Sequence, residues 1–199
     1  NKIMETILNI FRSKDLRKKI LIVVGYLLIF RFLSAIPLPG VDQEQLALFF
    51  TQNQYLGLVN ILSGGALSKF SIVMLGIGPY ITATIILQLL TMVFPSLKAI
   101  YYEGGEAGRA KFNQYAKYLT VVIGFIQGFG FLNYLEAQKV ITPLSGLDLI
   151  TNVMIITSGS VFLMWLGELI TEQKIGNGTS LLIFVGILAG IPNSIRNNI

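Results

Sequence analysis

Long stretches without any charged residue are the feature that most constrains this chain. The longest runs from Phe70 to Leu97, and three more occur at 118–135, 149–167 and 175–195. A helix that crosses the hydrocarbon core of a bilayer needs about 20 apolar residues, and these stretches reach or nearly reach that length. A fifth stretch, 20–36, contains a single charge, Arg31. The sequence therefore predicts an all-α membrane protein.

The composition agrees with this class and excludes much chemistry. Only 13% of the residues are charged, whereas a soluble domain has about 25%. The chain has no cysteine and no histidine, which excludes disulfides, Cys/His zinc sites, thiol nucleophiles and Ser-His triads. The apolar stretches contain no pair of carboxylates. We therefore expect that the protein is not an enzyme and uses no cofactor and no metal.

We predict five membrane-spanning helices, with the N-terminus in the cytoplasm. The predicted spans are about 20–36, 79–94, 118–135, 149–167 and 178–195. In this orientation most of the 15 Lys and Arg residues lie on the cytoplasmic side, as the positive-inside rule requires. An odd number of spans is typical of one half of an inverted-repeat transporter or channel.

The second apolar stretch contains a helix-breaking motif, Gly76-Ile77-Gly78-Pro79. Proline is favourable as the first residue of a helix, so we expect the spanning helix to begin at Pro79. Two interpretations of the preceding residues are open. One is a true break, with irregular backbone that lines a cavity or is covered by protein. The other is a kink in an ordinary packed helix.

Two pairs of isoleucines have helical spacing. Ile81 and Ile85 lie four residues apart on the second span, and Ile183 and Ile187 lie four apart on the fifth, so each pair occupies one helix face. From the spacing alone, contact with lipid or with the protein core explains these residues.

Polar side chains also occur within the predicted spans, among them Thr84, Gln88 and Gln127. The amide of a Gln finds no partner in lipid, so it must face protein or water. Hydrogen bonding between helices is the more common use of such residues.

Six short motifs follow one another along nearly the whole chain. They are Ile36-Pro37-Leu38-Pro39-Gly40, Ser63-Gly64-Gly65-Ala66-Leu67, Leu75-Gly76-Ile77-Gly78-Pro79-Tyr80-Ile81-Thr82-Ala83, Glu103-Gly104-Gly105-Glu106-Ala107-Gly108-Arg109, Met164-Trp165-Leu166-Gly167-Glu168 and Gly176-Asn177-Gly178-Thr179-Ser180-Leu181-Leu182-Ile183-Phe184. In this order they resemble the SecY family of protein-translocation channels. That family has ten spans in two pseudo-symmetric halves, and this chain resembles the first half. We therefore expect a fragment whose second half is missing.

The resemblance implies roles for particular residues. Ile81, Ile85, Ile183 and Ile187, which we call the ring isoleucines, match positions of the family's hydrophobic pore ring. A short helix at about 56–67 resembles the plug that closes the channel at rest. Its candidate residues are Leu56, Leu58, Ile61, Leu62, Ser63, Gly64, Gly65 and Leu67. The second and third spans resemble one side of the lateral gate, where Thr84, Gln88 and Gln127 are the candidate polar residues.

The implied function is that of the pore-forming subunit of a protein-translocation channel in the inner (plasma) membrane. Such a subunit passes unfolded polypeptides and releases hydrophobic helices sideways into lipid. The implied partners are SecE, SecG, the SecA motor or the ribosome, polypeptides with signal sequences, membrane lipids and the C-terminal half of the same channel. The alternative is one half of an inverted-repeat secondary transporter. A transporter usually has charged or coordinating groups at the membrane midplane, whereas the one charge within the predicted spans, Arg31, lies near the outer end of its span.

Overall fold

The computed structural model describes residues 14–38, 49, 66, 67 and 69–196 of the 199 residues. The described part of the chain is helical, with five long helices that we number in chain order. They are α1 (Lys14–Leu33), α2 (Gly78–Val93), α3 (Gly105–Ala137), α4 (Gly146–Glu172) and α5 (Gly178–Arg196). A shorter helical segment, Pro95–Glu103, connects α2 to α3.

Each predicted span overlaps one of these helices, and the bounds differ most for the third. Helix α3 begins at Gly105, well before the apolar stretch that starts at residue 118. Its 33 residues correspond to about 50 Å, which exceeds the roughly 30 Å hydrocarbon core of a bilayer. The charged first turns of α3 therefore extend beyond the part that lipid tails can cover, a length that a search for apolar residues does not detect.

Two of the helices, α3 and α4, are each long and apolar enough to cross a membrane. Helix α2 and the segment Pro95–Glu103 meet the same requirement together, although they are bent by 116° relative to each other. The described residues thus contain two helices that could each cross a membrane. The number rises to three if the bent pair is counted as one membrane span. That all five helices cross the membrane stays a prediction.

The helical structure is interrupted before α2, and not merely kinked. Residues 70–77 form successive turns, in which the N–H of Gly76 donates to the carbonyl of Val73 (2.8 Å). Gly76 has a φ of 57°, a left-handed conformation that glycine adopts without a steric penalty. Pro79 then lies in the first turn of α2, where its missing N–H costs nothing.

The turns before α2 are joined to the loop after α1. Pro37 and Ser71 form an isolated antiparallel bridge. Beside it, the N–H of Leu38 donates to the carbonyl of Phe70 (2.8 Å), and the N–H of Ile72 donates to the carbonyl of Ile36 (3.1 Å). These bonds satisfy backbone groups that would otherwise be costly to bury.

Helix α3 packs between α2 and α4. Gly124 and Gly128 lie one turn apart on α3, where a Cβ at Gly124 would lie 3.3 Å from the Thr157 side chain of α4. Small residues at this spacing allow two helix backbones to approach closely, and the resulting van der Waals packing helps helices to associate in lipid. Helix α4 also contacts α1, α2 and α5, so it is the centre of the bundle.

One apolar cluster joins four helices and the turns before α2, and we call it the Ile77 cluster. Its buried members are Val23, Phe30, Ala66, Val73, Ile77, Leu163, Leu166, Ile170 and Leu182. They come from α1, from the turns, from α4 and from α5. Partly buried residues of α2 pack against the cluster as well.

Candidate functional site

Two of the ring isoleucines meet at the Ile77 cluster. Ile81 of α2 and Ile183 of α5 are half-buried, and both pack against the buried members of that cluster. The break before α2 matters here, because it places the first turn of α2 inside the bundle. Residues from the beginnings of two helices thereby reach the same apolar centre.

The other two ring isoleucines lie outside this centre. Ile85 is 50% exposed, and Ile187 is half-buried, but neither is among the residues that pack against the Ile77 cluster. The N-terminal member of each predicted pair therefore packs against the same apolar cluster. Their C-terminal partners lie one turn further along the helices.

The sequence interpretation missed Ile77. This residue lies four positions before Ile81 and is only 7% exposed, within the cluster that carries its name. It was passed over because the helix was expected to begin at Pro79, which would have left Ile77 outside the regular structure. The spacing of four residues was the signal that pointed to it.

The three candidate gate residues have different surroundings. The amide of Gln127 on α3 donates to the hydroxyl of Thr82 on α2 over 3.5 Å, a weak bond between the second and third spans. The hydroxyl of Thr84 donates to the carbonyl of Ile81 in its own helix (2.8 Å). Gln88 is exposed on α2. Only Gln127 thus links the two helices, and it does so through Thr82.

The predicted plug falls mostly outside the described residues. Of its eight candidate residues, the structure describes Leu67, which is 3% exposed. Leu67 packs in a second apolar cluster with Phe70, Met74 and Leu132. The neighbouring carbonyl of Ala66 accepts the N–H of Ser71 (2.9 Å).

The start of α5 is held against the end of α4. The N–H of Gly178 donates to the hydroxyl of Thr171 (2.8 Å), and the N–H of Ser180 donates to the side-chain oxygen of Asn177 (3.1 Å). Asn at this position satisfies a free N–H of the first helical turn. A Cβ at Gly178 would collide with the carbonyl of Gly167 on α4, so only glycine permits this contact.

One ion pair joins α3 to α4. Lys117 Nζ lies 2.7 Å from Glu168 Oε2. The sequence pattern showed Glu168 only as the last residue of a motif and predicted no partner for it. A signal was present, since Lys117 directly precedes the predicted span 118–135 and Glu168 directly follows 149–167. These two ends lie on the same side of the membrane in the predicted topology.

Large apolar side chains cover the outward faces of α3 and α4. Phe125, Ile126, Met154 and Trp165 are each between 44% and 63% exposed. A soluble monomer rarely exposes contiguous apolar surface on this scale. With the span-length helices, this surface defines the class of the molecule as a helical membrane protein.

Comparison with known proteins identifies the family. The SecY family model matches residues 71–199. Three relatives, each named protein translocase subunit SecY, are 45% identical over 192 residues in Escherichia coli, 44% over 194 in Halalkalibacterium halodurans and 43% over 199 in Streptomyces scabiei. These matches cover 93–96% of this chain but only 43–45% of each relative. The chain belongs to the SecY family and spans a little under half the length of these relatives.

Proposed function

We propose that this chain is the N-terminal half of the pore-forming subunit of a protein-translocation channel. The complete subunit passes unfolded polypeptides across the membrane and releases hydrophobic helices sideways into lipid. The observation that carries this proposal is the similarity to relatives named protein translocase subunit SecY, which covers at least 93% of the chain. The channel itself performs no chemistry on its substrate.

In this proposal α1 to α5 all cross the membrane, and the N-terminus lies in the cytoplasm. A second half of inverted topology completes a ten-helix channel in the inner membrane. The match covers only 43–45% of each relative, which supports a second half that completes the channel. The partners are SecE, SecG, and either the SecA motor or the ribosome, as the family membership implies.

The ring isoleucines form part of a dry constriction in the idle channel. Ile81 and Ile183 support this role because they pack on one apolar centre from two different helices. Water in so apolar a constriction loses hydrogen bonds and ions lose hydration, so ions are excluded. Isoleucine is stiff at χ1, which suits a constriction that opens by helix movement. The second half supplies the rest of the ring.

The segment 56–67 acts as the plug, and the seam of α2 and α3 forms one side of the lateral gate. The Gln127–Thr82 hydrogen bond supports the gate assignment, because it joins α2 to α3 and lets the two helices act as one side. Thr84 and exposed Gln88 then face the seam or the pathway beside it.

A chimeric channel tests the proposed function directly. Residues 1–199 are joined to the C-terminal part of Escherichia coli SecY, with which they share 45% identity over 192 residues. We expect the chimera to support growth of cells depleted of their own SecY and to restore export of a signal-bearing precursor. Full-length Escherichia coli SecY and an empty vector are the controls. A chimera that accumulates in the membrane but leaves the precursor unprocessed contradicts the proposal.

Deleting part of the plug should relax substrate selection. The deletion covers residues 56–65 and stops before Ala66, because the Ala66 carbonyl accepts the N–H of Ser71 and Leu67 is buried in the core. We expect the chimera with this deletion to export precursors with weakened signal sequences that the intact chimera rejects. Processing of a weak-signal precursor, compared with a strong-signal precursor, measures the effect. Equal rejection by both channels means that the segment is not a plug.

A further inference from the structure

The Lys117–Glu168 ion pair lies where four helices come together. Its two charged atoms are 2.7 Å apart, with side chains 39% and 30% exposed. A second ion pair in the described ranges, Lys19–Asp15, has a similar distance of 3.0 Å. It lies within α1 and does not connect two helices. The Lys117–Glu168 pair instead connects α3 to α4.

Glu168 is next to the contact between α4 and α5. Gly167, the preceding residue, packs against Gly178 and Thr179 of α5. Thr171, one turn later, donates to the carbonyl of Gly167 (2.8 Å) and accepts the N–H of Gly178 (2.8 Å). The stretch of α4 that carries the carboxylate therefore also holds the start of α5, where Ile183 follows in the second turn.

Tyr80 brings α2 into the same group. This residue directly precedes Ile81. Its ring packs against the Ile77 cluster and also against the buried cluster of Leu87, Phe112 and Ala116 between α2 and α3. Ala116 directly precedes Lys117, and Leu166 of the Ile77 cluster lies two residues before Glu168. The helices that carry Ile81 and Ile183 thus both pack beside the segments that hold the ion pair.

We infer that the Lys117–Glu168 pair is a positioning device that keeps α2 and α5 at their resting separation and so keeps the constriction at Ile81 and Ile183 closed. This inference rests on the proposed channel function and adds a specific control point to it. The pair acts by fixing α3 to α4, against which α2 and α5 pack. Removing either charge gives the helices freedom to separate.

The effect is measured as ion current through the idle channel. Glu168→Gln and Lys117→Gln each remove the pair in the complete chimeric channel, reconstituted in planar bilayers with no substrate. We expect each variant to raise the idle current about two- to fivefold, the change in an equilibrium that the loss of one partly exposed ion pair produces. The charge-exchanged variant Lys117→Glu/Glu168→Lys and the conservative Lys117→Arg should return the current to the parent value.

Two controls separate this inference from its alternatives. Lys19→Gln breaks the ion pair within α1 and should leave the current unchanged. Ile81→Ser/Ile183→Ser opens the ring directly. If the serine variant leaks but Glu168→Gln and Lys117→Gln do not, the positioning role is wrong and the ring assignment stands. If the serine variant does not leak either, Ile81 and Ile183 do not form the constriction and the inference is wrong. The inference is also wrong if the charge-exchanged variant and Lys117→Arg leak as much as the Gln variants. In that case a disturbed fold, and not the loss of the ion pair, explains the current.

Discussion

Gly159→Ala lowers the stability of the protein, whereas Gly130→Ala leaves it unchanged or raises it slightly. Both glycines lie in the interior of long helices, Gly159 in α4 and Gly130 in α3. In an exposed helix interior, alanine is more favourable than glycine by about 0.8–1 kcal/mol. Gly130 has nothing within 4 Å of an added Cβ, so the intrinsic preference decides its outcome.

At Gly159 the surrounding atoms make the same substitution destabilising. A Cβ there would collide with the carbonyl oxygen of Ile72 and lie 3.3 Å from a methyl group of Val73. The Ile72 backbone cannot easily withdraw, because its N–H is bonded to the carbonyl of Ile36. Overpacking of a tight core typically costs about 1–3 kcal/mol, which exceeds the helix-propensity gain.

The two alanine variants are compared by the amount of folded chimeric channel in membranes and by its thermal unfolding in detergent. We expect Gly159→Ala to accumulate poorly and to unfold at a lower temperature than Gly130→Ala. Equal behaviour of the two variants means that α4 does not approach the turns before α2 as closely as described.

Replacing Ile81 and Ile183 together by serine is expected to make the idle channel leak ions. Serine removes the apolar side chains that keep the constriction dry and supplies a hydroxyl that hydrogen-bonds water. A barrier lowered by about 1.4 kcal/mol corresponds to a tenfold increase in ion flux, and we expect an increase of at least that size. Planar-bilayer current of the complete chimeric channel without substrate measures it.

Two matched variants locate the constriction along the helices. Ile85→Ser/Ile187→Ser changes the same residue type one turn later, at positions outside the Ile77 cluster, and we expect a smaller current than for the first pair. Ile126→Ser changes a 63% exposed residue of α3 and should have no effect. If both double variants carry no more current than the parent channel, the four isoleucines do not line the pore.

The helices were predictable from the sequence because membrane spans have a strong and simple signal. A run of uncharged residues such as 149–167 has few stable alternatives to a helix in lipid, since every backbone group must be bonded within the segment. The extension of α3 back to Gly105 was not predictable in this way. Its first turns are charged and outside the apolar run, and their helical structure depends on local propensity and packing.

The break before α2 was only half determined by the sequence. Gly76 and Pro79 both favour an interruption, but the same residues occur in kinked helices. The structure adds a long-range contact next to the interruption, the bridge between Pro37 and Ser71, which no local pattern contains. The position of Ile77 depended on this interruption, and for that reason it was missed.

The candidate site was predictable as a set of residues but not as an arrangement. Spacing placed Ile81 with Ile85 and Ile183 with Ile187, because residues four apart share a helix face. Spacing within one helix cannot say which turn meets another helix. The contact of Ile81 and Ile183 with a common cluster depends on where α2 begins and how α5 packs on α4, and both are tertiary properties.

The bridge between Pro37 and Ser71 has a consequence for the stretch of chain that separates them. Because backbone hydrogen bonds join the two ends of this stretch, Ile36 and Leu38 are tied directly to Ile72 and Phe70. Removal of residues 56–65 leaves these bonds in place, so the deletion proposed above should change substrate selection without displacing α1 from α2.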